Sequence, residues 1–147
     1  MQIQDSYGFL LAKVEEEMEA LFTEYLRKLH ITAPQFGVLQ HIEQYPNASQ
    51  IQVSEALFID RTTMVAHVDH LEKIDLIKRV RNPNDRRSFG LTVTEYGVSA
   101  LKKGRKQLNK TENSVLSVLD QDEKGHLKSI LKKVWNSIQE GEHDGKN

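Results

Sequence analysis

The hydrophobic period of this 147-residue chain changes twice, and that limits the folds open to it. Leu11, Val14, Met18, Leu21 and Tyr25, joined by Phe22, Leu26 and Leu29, recur at helical spacing and predict an amphipathic first helix of at least 20 residues. Thr32 is a candidate N-cap, with Pro34 in the first turn, Gln35 three residues on, and Phe36, Leu39 and Ile42 forming a stripe up to Tyr45-Pro46-Asn47. Ser49 and Asp60 open two short helices, the first with Val53, Ala56 and Leu57 inward, the second with Met64, Val65, Val68 and Leu71. The period then drops to two. Leu76-Ile77-Lys78-Arg79-Val80-Arg81 and Ser88-Phe89-Gly90-Leu91-Thr92-Val93 alternate around the turn-rich Asn82-Pro83-Asn84-Asp85, which predicts a β-hairpin. Helical spacing returns after a Thr94 cap. Leu101, Leu108 and Val115 recur every seven residues, although Gly104 and Thr111 spoil a strict coiled-coil seam. Asp120 with Glu123 opens a last helix carrying Leu127, Ile130, Leu131, Val134 and Ile138, before a polar tail from Gly141.

Two short helices followed at once by a two-stranded hairpin give the order of a winged helix-turn-helix, with one helix for a major groove and a hairpin for the neighbouring minor groove or phosphates. The predicted fold class is therefore mainly α with a small β-hairpin wing, flanked by long N- and C-terminal helices. A plain helical hairpin with a solvated strand pair is the competing reading. Charge bears on the choice. The formal net charge is only -1, so the whole chain's field names no polyanionic partner. Residues 61–90, however, carry seven bases against four acids, whereas residues 31–60 carry three acids and no base. Lys78, Arg79, Arg81, Arg86 and Arg87 crowd the hairpin with Asp85 as the one acid among them, a density suited to phosphate contact.

Composition removes several chemistries. The chain has no cysteine, hence no disulfide, no thiolate metal site and no thiol nucleophile. No apolar run approaches the ~20 residues needed to span a bilayer, and Met1 to Asp5 lack a signal-peptide start, so a cytoplasmic protein with no membrane partner is expected. Nucleotide-binding glycine loops, the nucleophile-elbow pentapeptide and the zinc-protease histidine pair are all missing, so no enzyme and no cofactor are expected. His67 and His70 share a helix face at metal-ligand spacing, but that face is the one offered to DNA, and no metal is expected. Phe9, Phe22, Tyr25 and Trp135 are expected in core packing rather than in a ligand pocket.

Thr32-Ala33-Pro34-Gln35-Phe36-Gly37-Val38-Leu39, Ile59-Asp60-Arg61-Thr62-Thr63-Met64-Val65, Leu71-Glu72-Lys73, Leu76-Ile77-Lys78-Arg79, Asn82-Pro83-Asn84-Asp85-Arg86-Arg87 and Leu91-Thr92-Val93-Thr94-Glu95-Tyr96-Gly97 together resemble the MarR family of winged-helix transcription regulators. The motifs cover residues 32–97; the flanking helices match in length and position. The resemblance implies one domain, with a DNA-binding lobe over 32–97, dimerisation helices over 1–30 and 98–140, and a frayed tail over 141–147. It further implies a homodimeric repressor that places two recognition helices in successive major grooves of a pseudo-palindromic operator, about 34 to 36 Å apart.

By position, Arg61, Thr62, Thr63, Ala66 and His67 fall on the early turns of the recognition helix, and Arg79, Arg81, Asp85, Arg86 and Arg87 on the wing. Family wings use the Asp to orient an Arg two positions later, which maps onto Asp85 and Arg87. A guanidinium held in one rotamer suits a narrow, strongly negative minor groove. Phe58 and Asp75 stand where the family usually has glycine. Asp75 tolerates a left-handed cap, whereas Phe58 is expected to be buried instead. The resemblance also implies a small aromatic or phenolic effector, which this sequence does not identify, and the lack of cysteine excludes release by thiol oxidation. A ligand-insensitive architectural DNA binder, or a winged helix used for protein contacts, is the alternative.

Overall fold

The computed structural model describes residues 1–144, apart from the side chains of residues 85–87 and 142–144. Helix α1 spans Tyr7–Arg27, α2 Ala33–Gln44, α3 Gln50–Leu57 and α4 Arg61–Lys73. Strands β1 (Ile77–Asn82) and β2 (Asp85–Val93) follow, then α5 (Glu95–Val115) and α6 (Gln121–Asp144). The predicted order, mainly helical with one antiparallel hairpin, is the order observed.

Helices α2 to α6 each begin at a capping side chain. Thr32 Oγ1 accepts from the Gln35 N–H at 3.3 Å while Gln35 Oε1 accepts from the Thr32 N–H at 3.0 Å. Ser49 and Gln52 repeat this reciprocal box at the start of α3, and Asp120 with Glu123 does so before α6. Asp60 caps α4 through the Thr63 N–H at 2.8 Å, and Thr94 caps α5 through the Gly97 N–H at 3.0 Å. Each pairing satisfies donors that the helix itself leaves open.

The chain forms two compact units, residues 1–111 and 112–147. In the first, Leu26 from α1, Leu39 and Ile42 from α2, Val53 from α3, Met64, Val68 and Leu71 from α4, Ile77, Leu91 and Leu101 are fully buried in one core. Phe36 packs its ring edge-on to Phe22 at 5.0 Å, and the notch that receives it is Gly104, where a Cβ would lie 2.3 Å from the Phe36 ring. The glycine that disrupts the heptad seam of α5 therefore has a packing reason. The second unit contains α6, whose Ile130, Leu131, Val134, Trp135 and Ile138 are exposed. Trp135, 47% exposed, thus departs from the core role expected of it: no described residue of this unit belongs to the buried core.

Among the described residues, four that are not glycine take left-handed backbone: His30 (φ 59°), Asn47 (φ 69°), Phe58 (φ 56°) and Asp75 (φ 63°). They sit between α1 and α2, α2 and α3, α3 and α4, and α4 and β1 respectively. Asp75 behaves as its side chain predicts. Phe58 does not: it adopts the glycine-type conformation and is 54% exposed rather than buried. The tight α3–α4 turn dictates the backbone, and the side chain follows it outward.

β1 and β2 pair in register from Ile77↔Val93 to Arg81↔Phe89, with a shift at Asn82. Asn82 Oδ1 accepts the Asn84 N–H at 2.9 Å, a side-chain turn that closes the hairpin. One further pairing has no local signature in the residues. Ala48 bridges Leu91, with the Asn47 N–H donating to Leu91 O and the Leu91 N–H to Ala48 O, both at 2.9 Å, which ties the wing to the α2–α3 connection.

Candidate nucleic-acid interface

α4 buries Met64, Val68 and Leu71 and turns the opposite face to solvent, where Arg61, Thr62, Thr63 and Ala66 are exposed over the first two turns. The period of 3.6 decides which residues these are. Thr63 is less free than its exposure suggests. Its N–H and its hydroxyl both donate to the Asp60 carboxylate, the latter at 2.7 Å, so its oxygen retains acceptor capacity and its methyl group is available for apolar contact. These donations, the Thr63 N–H first and its hydroxyl second, hold Asp60 below the usual carboxylate range.

Three other contacts fix α4 within the lobe. On one flank, Gln35 Nε2 lies 3.3 Å from His67 Nδ1, and His70 Nε2 donates to the His30 carbonyl at 2.6 Å. On the other, Arg79 of β1 forks between two carboxylates of α4, Glu72 and, at 2.8 Å, Asp69. The guanidinium geometry suits such a fork. Arg79, expected at the DNA surface, is thus engaged with α4. Its single positive charge offsets part of the charge of these two acids. Asp69 and Glu72, three apart on one helix face, were the sequence signal for this contact, but only the fold sets Arg79 opposite them.

Arg81 lies further along the same strand face, exposed, with its guanidinium 6.0 Å from the centre of the cross-strand Phe89 ring. The ring gives a long side chain a surface to lie on. The side chains of Asp85, Arg86 and Arg87, expected at the DNA surface, lie outside the described residues; their backbone belongs to β2 at the hairpin tip.

A cavity of about 460 Å³ opens beside α4, lined by Arg27, His30, Ile31, Thr32, Gln35 and His70. Among the described residues no cluster of three or more His, Cys, Asp or Glu could hold a metal ion, and His67 and His70 are each engaged as above. No helix among them is long and apolar enough to cross a membrane.

Residues 31–89 match the family model described as the MarR family. A protein of Thauera aromatica assigned to transcriptional regulation of the hcr operon is 30% identical over 125 residues, covering 82% of this chain and 75% of that protein. Among solved structures, a cysteine-to-serine mutant of MarR from E. coli complexed with operator DNA superposes with a TM-score of 0.77 at 28% identity, covering 86% of this chain and 91% of that one. Bordetella bronchiseptica BpsR, described as regulated in its DNA binding by 6-hydroxynicotinic acid, shares the fold with a TM-score of 0.80 at 23% identity over 91% of this chain and 96% of that one.

Proposed function

Since the chain belongs to the MarR family of transcription regulators, we propose that it is a sequence-specific double-stranded DNA-binding repressor acting as a homodimer on a pseudo-palindromic operator. The observation that carries this reading is the helix α4, exposed at Arg61, Thr62 and Ala66 and braced on both flanks, beside a hairpin bearing exposed Arg81. An arginine on the early turns suits guanine O6 and N7, while a basic hairpin suits phosphates or a minor groove. Asp85, Arg86 and Arg87 at the hairpin tip complete the DNA-binding set in this reading.

Residues 32–97 act as the DNA-binding lobe, and residues 1–30 and 98–140 carry dimerisation. Two apolar stripes support the homodimer: Leu10, Leu11, Val14 and Leu21 on α1, and Ile130, Leu131, Val134, Trp135 and Ile138 on α6. Such stripes call for another apolar surface. The protein works in the cytoplasm, where the DNA is. A small aromatic or phenolic effector carrying a negative charge finds a cation in the cavity beside α4, at Arg27.

Selection and sequencing of random duplexes, at near-physiological salt with excess competitor, tests the proposal. Enrichment of an inverted repeat whose half-sites lie about one helical turn apart is expected. Salt-sensitive binding without enrichment would replace this reading with an architectural one, and absence of binding would move the function to protein contacts.

A further inference from the structure

The hydrogen bonds around Gln35 determine more than the start of α2. A backbone N–H only donates, so the partner of the Thr32 N–H at 3.0 Å has to be the Gln35 carbonyl oxygen, and this fixes which end of the amide faces which way. The amide nitrogen is then the atom that faces His67 Nδ1 at 3.3 Å. An amide NH2 only donates. Nδ1 must therefore accept, and in the neutral ring the proton resides on Nε2.

We infer that Gln35 is a positioning residue for DNA readout: it holds His67 in the Nε2–H tautomer, so that the recognition helix offers a single N–H donor to a hydrogen-bond acceptor on a base edge. This rests on the DNA-binding reading above. His67 lies on α4 one turn beyond Thr63, half-buried against α2, and no described residue takes up its Nε2. His70 differs, since its Nε2 is already committed to the His30 carbonyl.

The tautomer has a consequence for sequence. A donor pairs with N7 of a purine, O6 of guanine or O4 of thymine, and it is unmatched against the amino groups of cytosine N4 and adenine N6. The other tautomer would place the acceptor at Nε2 and invert that preference. Specificity at one base pair of each half-site is thus set by a residue on α2.

Two measurements on the full-length protein test this. Long-range nitrogen–proton correlation spectra of imidazole-labelled protein, at a pH where the ring is neutral, should show His67 as Nε2–H. The Gln35→Met variant should relax it toward a mixture, and Gln35→Glu, whose carboxylate accepts from both Thr32 N–H and Nδ1–H, should shift the proton to Nδ1. A mixture or Nδ1–H in the unaltered protein would overturn the inference, whatever the DNA result. In selection experiments, Gln35→Met and His67→Ala should each lose about fivefold discrimination at the same base pair, with the double variant no worse than either single one. A uniform loss across all sequences would show that Gln35 only supports the fold and would overturn the role. Correct tautomers with no sequence-specific binding would instead refute the functional reading, and with it the task given to the N–H.

Discussion

Gly97 offers a strict test of the packing described above. It stands in the first turn of α5, a place where alanine would ordinarily favour the helix by up to ~1 kcal/mol. Here a Cβ would lie 2.3 Å from Leu76 O and 2.5 Å from Val93 Cγ1, against a practical limit of 3.0 Å. A separation of at least 0.7 Å is therefore needed, and Leu76 O is backbone. That oxygen also accepts from the Thr94 N–H at 3.1 Å, while the Thr94 hydroxyl donates to the neighbouring Asp75 O at 2.6 Å. Overpacking of this kind costs about 1–3 kcal/mol, and losing the Thr94 N–H bond adds about 1 kcal/mol. Net of the helix gain, Gly97→Ala should destabilise by about 1–3 kcal/mol, a fall of roughly 3–10 °C in Tm. The matched control is Gly37→Ala in α2, where an added Cβ meets nothing within 4 Å and should stabilise by about 0.5–1 kcal/mol. Thermal and urea unfolding at fixed protein concentration read both. Equal stability of the two variants would refute the account of the α5–β1 junction. Because Leu76 leads into β1, the same variant should also weaken operator binding.

Four further outcomes follow from the site. In a double-mutant cycle of Arg79→Ala with Glu72→Ala, coupling in stability should stay near or below ~1 kcal/mol, since these groups are partly solvated; operator affinity should fall more than stability does, and an unchanged affinity would remove the bracing role of Arg79. Asp60 titrates below its ordinary 3.8 because its carboxylate accepts from Thr63. Its stabilisation is complete above that value and lost as pH falls through the lower folded-state value, so acid unfolding should lose part of its slope below about pH 3.8 in Asp60→Asn, and an unaltered profile would contradict the cap. His30→Gly should raise stability by about 1 kcal/mol, because glycine takes the left-handed backbone without steric penalty and the carbonyl that receives His70 is retained; a loss measured by urea unfolding would show that the imidazole matters more. Arg87→Ala should weaken operator binding while leaving the proposed homodimer intact in sedimentation, and equal affinity at matched salt would sink the wing assignment.

The sequence was most legible where the controlling interaction is local. Thr32, Ser49, Asp60, Thr94 and Asp120 each form the cap their side chains suggest, because the partner lies three residues away. The alternation of the hairpin and the face of α4 were equally readable from period. Contacts at long separation were not. Arg79 read as a surface base because its acids belong to another element, and Gln35 read as a cap alone because His67 lies 32 residues on. Phe58 misled because apolarity argues for burial while the turn around it imposes φ 56° and exposure.

The four left-handed joints have a mechanical meaning. A glycine at each would act as a swivel; His30, Asn47, Phe58 and Asp75 instead confine each joint to few alternatives. With the bracing of α4, the joints make the segment from α2 to the hairpin a stiff lever rather than a chain of hinges. Bending between α2, α3, α4 and the hairpin is then restricted at the joints themselves, so these elements are expected to move together.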